Sequence, residues 1–141
     1  MTALLQPIES ILPAQARTGV VSGGVRSALR LEGAAALIAS AILYAQARYS
    51  WRLLALGFLV PDVAMLAYFA GPRVGAVVYN LAHTYALAVA LALAGFIGGE
   101  PAMAAAALIW IAHIGFDRAL GFGLKYASGF GDTHLGRTGH R

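Results

Sequence analysis

Apolar and polar positions alternate along this chain on the scale of whole helices, not single residues. Long apolar blocks occupy residues 29–47, 53–70, 74–97 and 102–120, and each ends at a breaker. The breakers are Arg48-Tyr49-Ser50, Gly71-Pro72-Arg73, Gly98-Gly99-Glu100-Pro101 and a glycine-rich tail. Each block holds about the 17–25 residues that a helix needs to cross a bilayer. The connectors are a few residues long, which makes consecutive helices antiparallel neighbours. The pattern therefore predicts an all-α fold: a four-helix transmembrane bundle, up-down-up-down. Residues 1–28 are expected as an N-terminal arm, linked to the first span through Thr18–Gly24. Pro7, Glu9 and Pro13 interrupt its apolar run and no basic stretch precedes it, unlike a cleaved signal peptide. Residues 122–141 are expected as a glycine-rich interfacial segment.

Composition sharpens this picture. Of 141 residues 60% are hydrophobic and 11% charged, against about 25% charged in ordinary soluble domains. A soluble domain of this size could not bury so much apolar surface, and disordered chains are poor in hydrophobic residues. With no cysteine, disulfides, thiolate metal sites and cysteine nucleophiles are excluded. The net charge of +4 would suggest nucleic acid in a soluble protein, but here it reads as topology. With both termini cytoplasmic, Arg17, Arg26, Arg30, Arg73, Arg118, Lys125, Arg137 and Arg141 share the cytoplasmic side, leaving Arg48 and Arg52 opposite. No nucleic-acid partner is expected; the bilayer is the partner. Gly71/Gly75 and Gly95/Gly99 stand at the spacing of close helix packing.

The informative positions are those that lipid rejects: Glu32 in the first span, Asp62 after Pro61 in the second, Asn80, His83 and Thr84 in the third, His113 and Asp117 in the fourth. At about 1.5 Å per residue, all of them fall in the cytoplasmic half, within roughly 14 Å of the helix ends on that side. His113 and Asp117 are four residues apart and share a helix face, with Trp110 and Ala106 extending the stripe; Glu32, Ala36, Ser40 and Tyr44 make another. Pro61 removes a backbone hydrogen bond and is expected to kink the second helix beside Asp62.

Together these residues describe a polar pocket open to the cytoplasm. Histidines with carboxylates are a ligand set for a divalent metal, zinc first. The expected ligands are His83, His113 and Asp117, with Asp62 and Glu32 as catalytic carboxylates and Asn80 and Thr84 lining the pocket. A metal with an open position activates water, so the leading expectation is a membrane hydrolase-like enzyme acting on a lipid-like substrate. Two other readings stand beside it. One is a binding or transport module for an ion, a proton or a small amphiphile. The other is a homo-oligomeric or accessory subunit of a larger membrane complex, with the polar layer setting helix register only. In a purely structural role Asp117 would pair with Arg118 or Arg73, and Glu32 with Arg30. The tail either lies in the interface on Phe122, Tyr126 and Phe130, or folds back so that Asp132 and His134 cap the pocket; His140 is expected to be disordered.

Several segments carry a family resemblance: Leu31-Glu32-Gly33, Pro61-Asp62, Gly71-Pro72-Arg73-Val74-Gly75, Tyr79 to Tyr85, His113 to Gly121 and Asp132 to Gly136. They resemble the bacterial domain-of-unknown-function family 4260 over residues 28–138. The resemblance implies a small integral membrane protein and no activity, substrate or cofactor; the expected location is the bacterial inner membrane, crossed several times.

Overall fold

The computed structural model describes residues 19–138, so the N-terminal arm up to Thr18, together with His140, lies outside the described residues. Helix α1 spans Gly23–Gln46, starting ahead of the expected Leu29, with extended Ser22 before it. The Gly23-Gly24 pair that reads as a linker is its first turn. Helix α2, Trp51–Gly57, passes into a 3₁₀ segment, Val60–Ala70. Helices α3, Pro72–Ala82, and α4, Tyr85–Gly98, follow, and α5 covers Pro101–Leu120. Prolines occupy the first turns of α3 and α5, where a missing N–H costs nothing. Gly71 turns the chain between spans at φ +106°, a conformation that side chains rarely adopt. Among the described residues, four helical stretches are long and apolar enough to cross a membrane: Gly23–Gln46, Trp51–Ala70, Pro72–Gly98 and Pro101–Leu120.

The third span is not the continuous helix that the pattern predicts, and the second changes winding where a kink at Pro61 is expected. In the second, regular helix ends at Gly57, one turn before Pro61, and the tighter 3₁₀ winding carries Asp62 in its first turn. In the third, the helix stops at Ala82; His83 is its cap and Thr84 is extended before α4 begins. Hydropathy cannot register such breaks, because the residues around them stay apolar.

Helix α5 is the centre of the molecule, packing along α1 and α4 and touching α2. In its most apolar window 61% of the residues are buried, against at most 22% in the other spans. Yet it is the least apolar of the four. Lipid solvates apolar faces as well as a protein core does, so burial falls to the span with the most polar groups to hide. The approach of α1 to α5 depends on two glycines facing each other. A Cβ on Gly115 would stand 2.7 Å from the Gly33 carbonyl oxygen and from the Leu37 backbone nitrogen. Of the four glycines expected at packing positions, Gly75 lies under the Tyr68 ring and Gly95 against the Ala104 backbone, whereas Gly71 and Gly99 are turn residues with open space around them.

The 3₁₀ segment packs on α3. After α5, the chain folds back over the bundle. Strands β1, Asp132–Thr133, and β2, Gly136–Arg137, form an antiparallel hairpin, and Lys125 bridges to Thr133. Leu135 is fully buried. The Val21 amide donates to the His134 carbonyl at 2.9 Å, tying the hairpin to the start of α1.

Candidate functional site

The two interrupted spans meet α5 at one place. Asp62 comes from the 3₁₀ segment, His83 from the break between α3 and α4, and His113 and Asp117 from successive turns of α5. One donor atom from each lies within 4.8 Å of all the others. The two Nε2 atoms, of His83 and His113, are 3.2 Å apart. Asp62 Oδ1 is 3.4 Å from His83 Nε2 and 3.6 Å from His113 Nε2. Asp117 Oδ2 is 3.7 Å from His83 Nε2 and 3.9 Å from His113 Nε2. Four donors bound at about 2.0–2.1 Å to a tetrahedral cation would stand about 3.3 Å apart. Five of the six edges, at 3.2–3.9 Å, are thus close to those of a coordination tetrahedron, a little expanded on the Asp117 side, and the Asp62–Asp117 edge stays within 4.8 Å.

Hydrogen bonding around the cluster orients its donors inward. The Tyr79 carbonyl can only accept, so His83 Nδ1, 2.9 Å away, carries the ring proton and Nε2 presents its lone pair. A histidine ligand usually has this support at its other nitrogen. The Tyr79 ring stacks on His83 at 3.7 Å between centroids, and its hydroxyl donates to Asp117 Oδ2 at 3.3 Å. His113 is held edge-on by Phe58 and His83, each at 5.2 Å, while its Nδ1 is buried without a hydrogen-bond partner. Both imidazoles are almost fully buried, whereas the Asp62 side chain keeps 30% of its surface and Asp117 13%. Acceptors gathered this closely in an apolar setting repel one another unless a proton or cation lies among them.

The break in the third span is closed by side chains from α5. Trp110 Nε1 donates to the Ala82 carbonyl, and Arg118 Nη2 donates to the His83 carbonyl at 2.9 Å. Arg118 Nη1 reaches the Phe122 carbonyl at 2.8 Å, so this guanidinium serves backbone oxygens; no Asp117–Arg118 ion pair forms. Arg30 likewise donates to the Ala119 carbonyl at 2.8 Å. The bonds to Ala82 and His83 satisfy carbonyls that the broken helix cannot leave bare at membrane depth.

Not every expected residue joins the cluster. Glu32 is exposed on α1, whose buried face carries Gly33, Ser40 and Tyr44. Asn80 instead clamps the Lys125 backbone, donating to its carbonyl at 2.9 Å and accepting from its amide at 2.7 Å. Thr84 is the half-buried residue before α4 and makes no side-chain cap. The tail folds back, but Asp132 and His134 are spent inside it. Asp132 accepts from Ser128 Oγ at 2.8 Å and lies 3.4 Å from Arg137 Nε. His134 Nδ1 accepts the Leu124 amide at 2.8 Å. Burial, with the nearby Arg118 charge adding to it, holds the His134 pKa below the usual histidine range. Lys125, which no motif singles out, donates to the Phe130 carbonyl at 2.8 Å and lies 4.7 Å from the Tyr79 ring centre. Burial lowers its pKa as well.

Membrane-length helices around a buried group of two histidines and two aspartates define the class: a multi-pass membrane domain with a potential metal-binding core. The chain belongs to a family described as a domain of unknown function, DUF4260, whose model matches residues 26–138. No curated protein and no solved structure matches it.

Proposed function

We propose that this protein is a metal-dependent, hydrolase-like enzyme of the membrane, with His83, His113 and Asp117 holding a divalent cation, zinc first. The observation that carries this reading is the pair of inward-facing imidazole nitrogens 3.2 Å apart, flanked by two carboxylate oxygens. Three protein ligands with one open position are the usual make-up of a catalytic zinc site, where bound water reaches a pKa of about 7. Asp62 is the most exposed of the four groups and comes from the 3₁₀ segment, whose winding marks hinges more often than scaffolds. It is the residue to take a proton from that water. Tyr79 orients both His83 and Asp117.

Metal analysis of the detergent-purified protein tests this reading. About one divalent ion per chain is expected, lost in His113→Ala and retained in Asp62→Asn. Trace metal in wild type and variant alike would end the metal reading.

A second reading draws on the interrupted spans themselves. Broken helices meeting at ionisable groups also build ion sites in transporters. In that case proteoliposomes would show a cation or proton flux that Asp62→Asn abolishes.

A further inference from the structure

Beside the cluster lies a cavity of about 380 Å³ that the chemistry above does not use. Gly57, Pro61 and Ala64 bound it on the second span, Ala82 on the third, and Ala106 and Trp110 on α5. Its lining continues directly into the cluster: Pro61 precedes Asp62, Ala82 precedes His83, and Trp110 lies one turn before His113. At about 1.5 Å per residue, Ala106 is roughly 10 Å along α5 from His113, so the cavity extends away from the cluster along the bundle. The one polar side-chain atom in the lining, Trp110 Nε1, is already bonded to the Ala82 carbonyl. Nothing there can receive a polar ligand. Glycine and alanines make part of the lining and Leu53, Val60, Leu91 and Ile109 complete its apolar walls, at the level where α2 gives way to the 3₁₀ segment.

We infer that this cavity holds the hydrocarbon chain of an amphiphile whose polar end lies at the His83/His113 cluster, an assignment that rests on the metal centre proposed above. An unfilled apolar cleft would lose contacts along its walls, and the membrane around it supplies chains at high concentration. The volume lies within the range of small-molecule sites. At roughly 30 Å³ for a unit the size of water, it takes a chain of about twelve carbons. A straight chain entering beside Asp62 runs into the bundle with its head at the cluster.

Trp110 supplies the readout, because the only other tryptophan, Trp51, can be removed. Trp51→Phe protein in nanodiscs is titrated with a lysophosphatidylcholine of that chain length, brominated at mid-chain. Saturable quenching of Trp110 is expected, reversed by the unbrominated lipid, with affinity rising with chain length to about twelve carbons and levelling off. Ala106→Phe and Ala64→Leu, on different helices, fill the cavity and should each weaken binding about tenfold or more. Both should keep the metal content of the parent, which shows that they fold. Quenching that rises linearly, or that saturates equally in both variants, overturns the chain site. Metal uptake without saturable quenching removes the chain site alone. Saturable quenching in a protein that never takes up metal contradicts the metal centre and leaves the chain site standing.

Discussion

Tyr79 meets the cluster in three ways, through its carbonyl, its ring and its hydroxyl. Removing only the hydroxyl, in Tyr79→Phe, leaves packing intact and deprives Asp117 of a donor. Metal affinity should fall about tenfold, the low end for lost outer-sphere partners, measured by competition with a chelator of known affinity. An unchanged affinity would mean that Asp117 is oriented without it. His134 gives a pH prediction. Its folded pKa lies below the unfolded value of about 6.5, so the native state resists the proton that the unfolded chain accepts. Stability is therefore full above about pH 6.5 and declines as pH falls below it, until the folded form also protonates. The protection factor of the Leu124 amide should fall as pH drops through that window, and His134→Phe should remove that fall. At this scale the sequence exposes the ionisable residues, since lipid makes each one conspicuous. It conceals Tyr79 and Arg118, whose roles depend on which backbone oxygens lie within reach. Glu32 shows the converse: within an apolar block it is as conspicuous as Asp62, and only its exposure on α1 separates the two.

Among elements, the gap between α3 and α4 is the feature to test. Trp110→Phe keeps the aromatic bulk and leaves the Ala82 carbonyl without its donor, a loss of about 1–3 kcal/mol for an unsatisfied buried group. The expected result is a lower Tm and faster exchange around His83, with the far end of α1 unaffected. The α1–α5 contact predicts a stronger effect. In Gly115→Leu the added side chain meets backbone of α1, which cannot rotate aside, so destabilisation at or above the 1–3 kcal/mol of ordinary overpacking follows. The four apolar blocks, their breakers and the proline starts are legible in sequence because lipid length and missing N–H groups leave direct marks. The interruption at His83 is not, since it depends on donors supplied by another helix, whereas the one at Leu59 is announced by Pro61 and only its 3₁₀ winding is hidden.

For the molecule as a whole, the least apolar span lies at the centre and the most apolar ones face outward, an order set by the surrounding hydrocarbon. Hydropathy alone gives the number of spans, but it cannot rank them by burial; the polar residues of α5 do that. We further propose that the side carrying Arg26, Arg73, Lys125 and Arg137 is cytoplasmic. The absence of cysteine makes this simple to check with single introduced thiols. In intact cells, Ser50→Cys should react with an impermeant maleimide and Ser128→Cys should not. The reverse pattern would invert the topology. His83, His113 and Asp117 are proposed to hold one metal ion, with Asp62 beside its open position. X-ray absorption at the edge of the bound metal tests this arrangement most directly. Two imidazole nitrogens at about 2.0–2.1 Å are expected, with the remaining ligands oxygen, and His113→Ala should give no bound-metal edge at all. A metal shell without imidazole, or one unchanged in that variant, would contradict it.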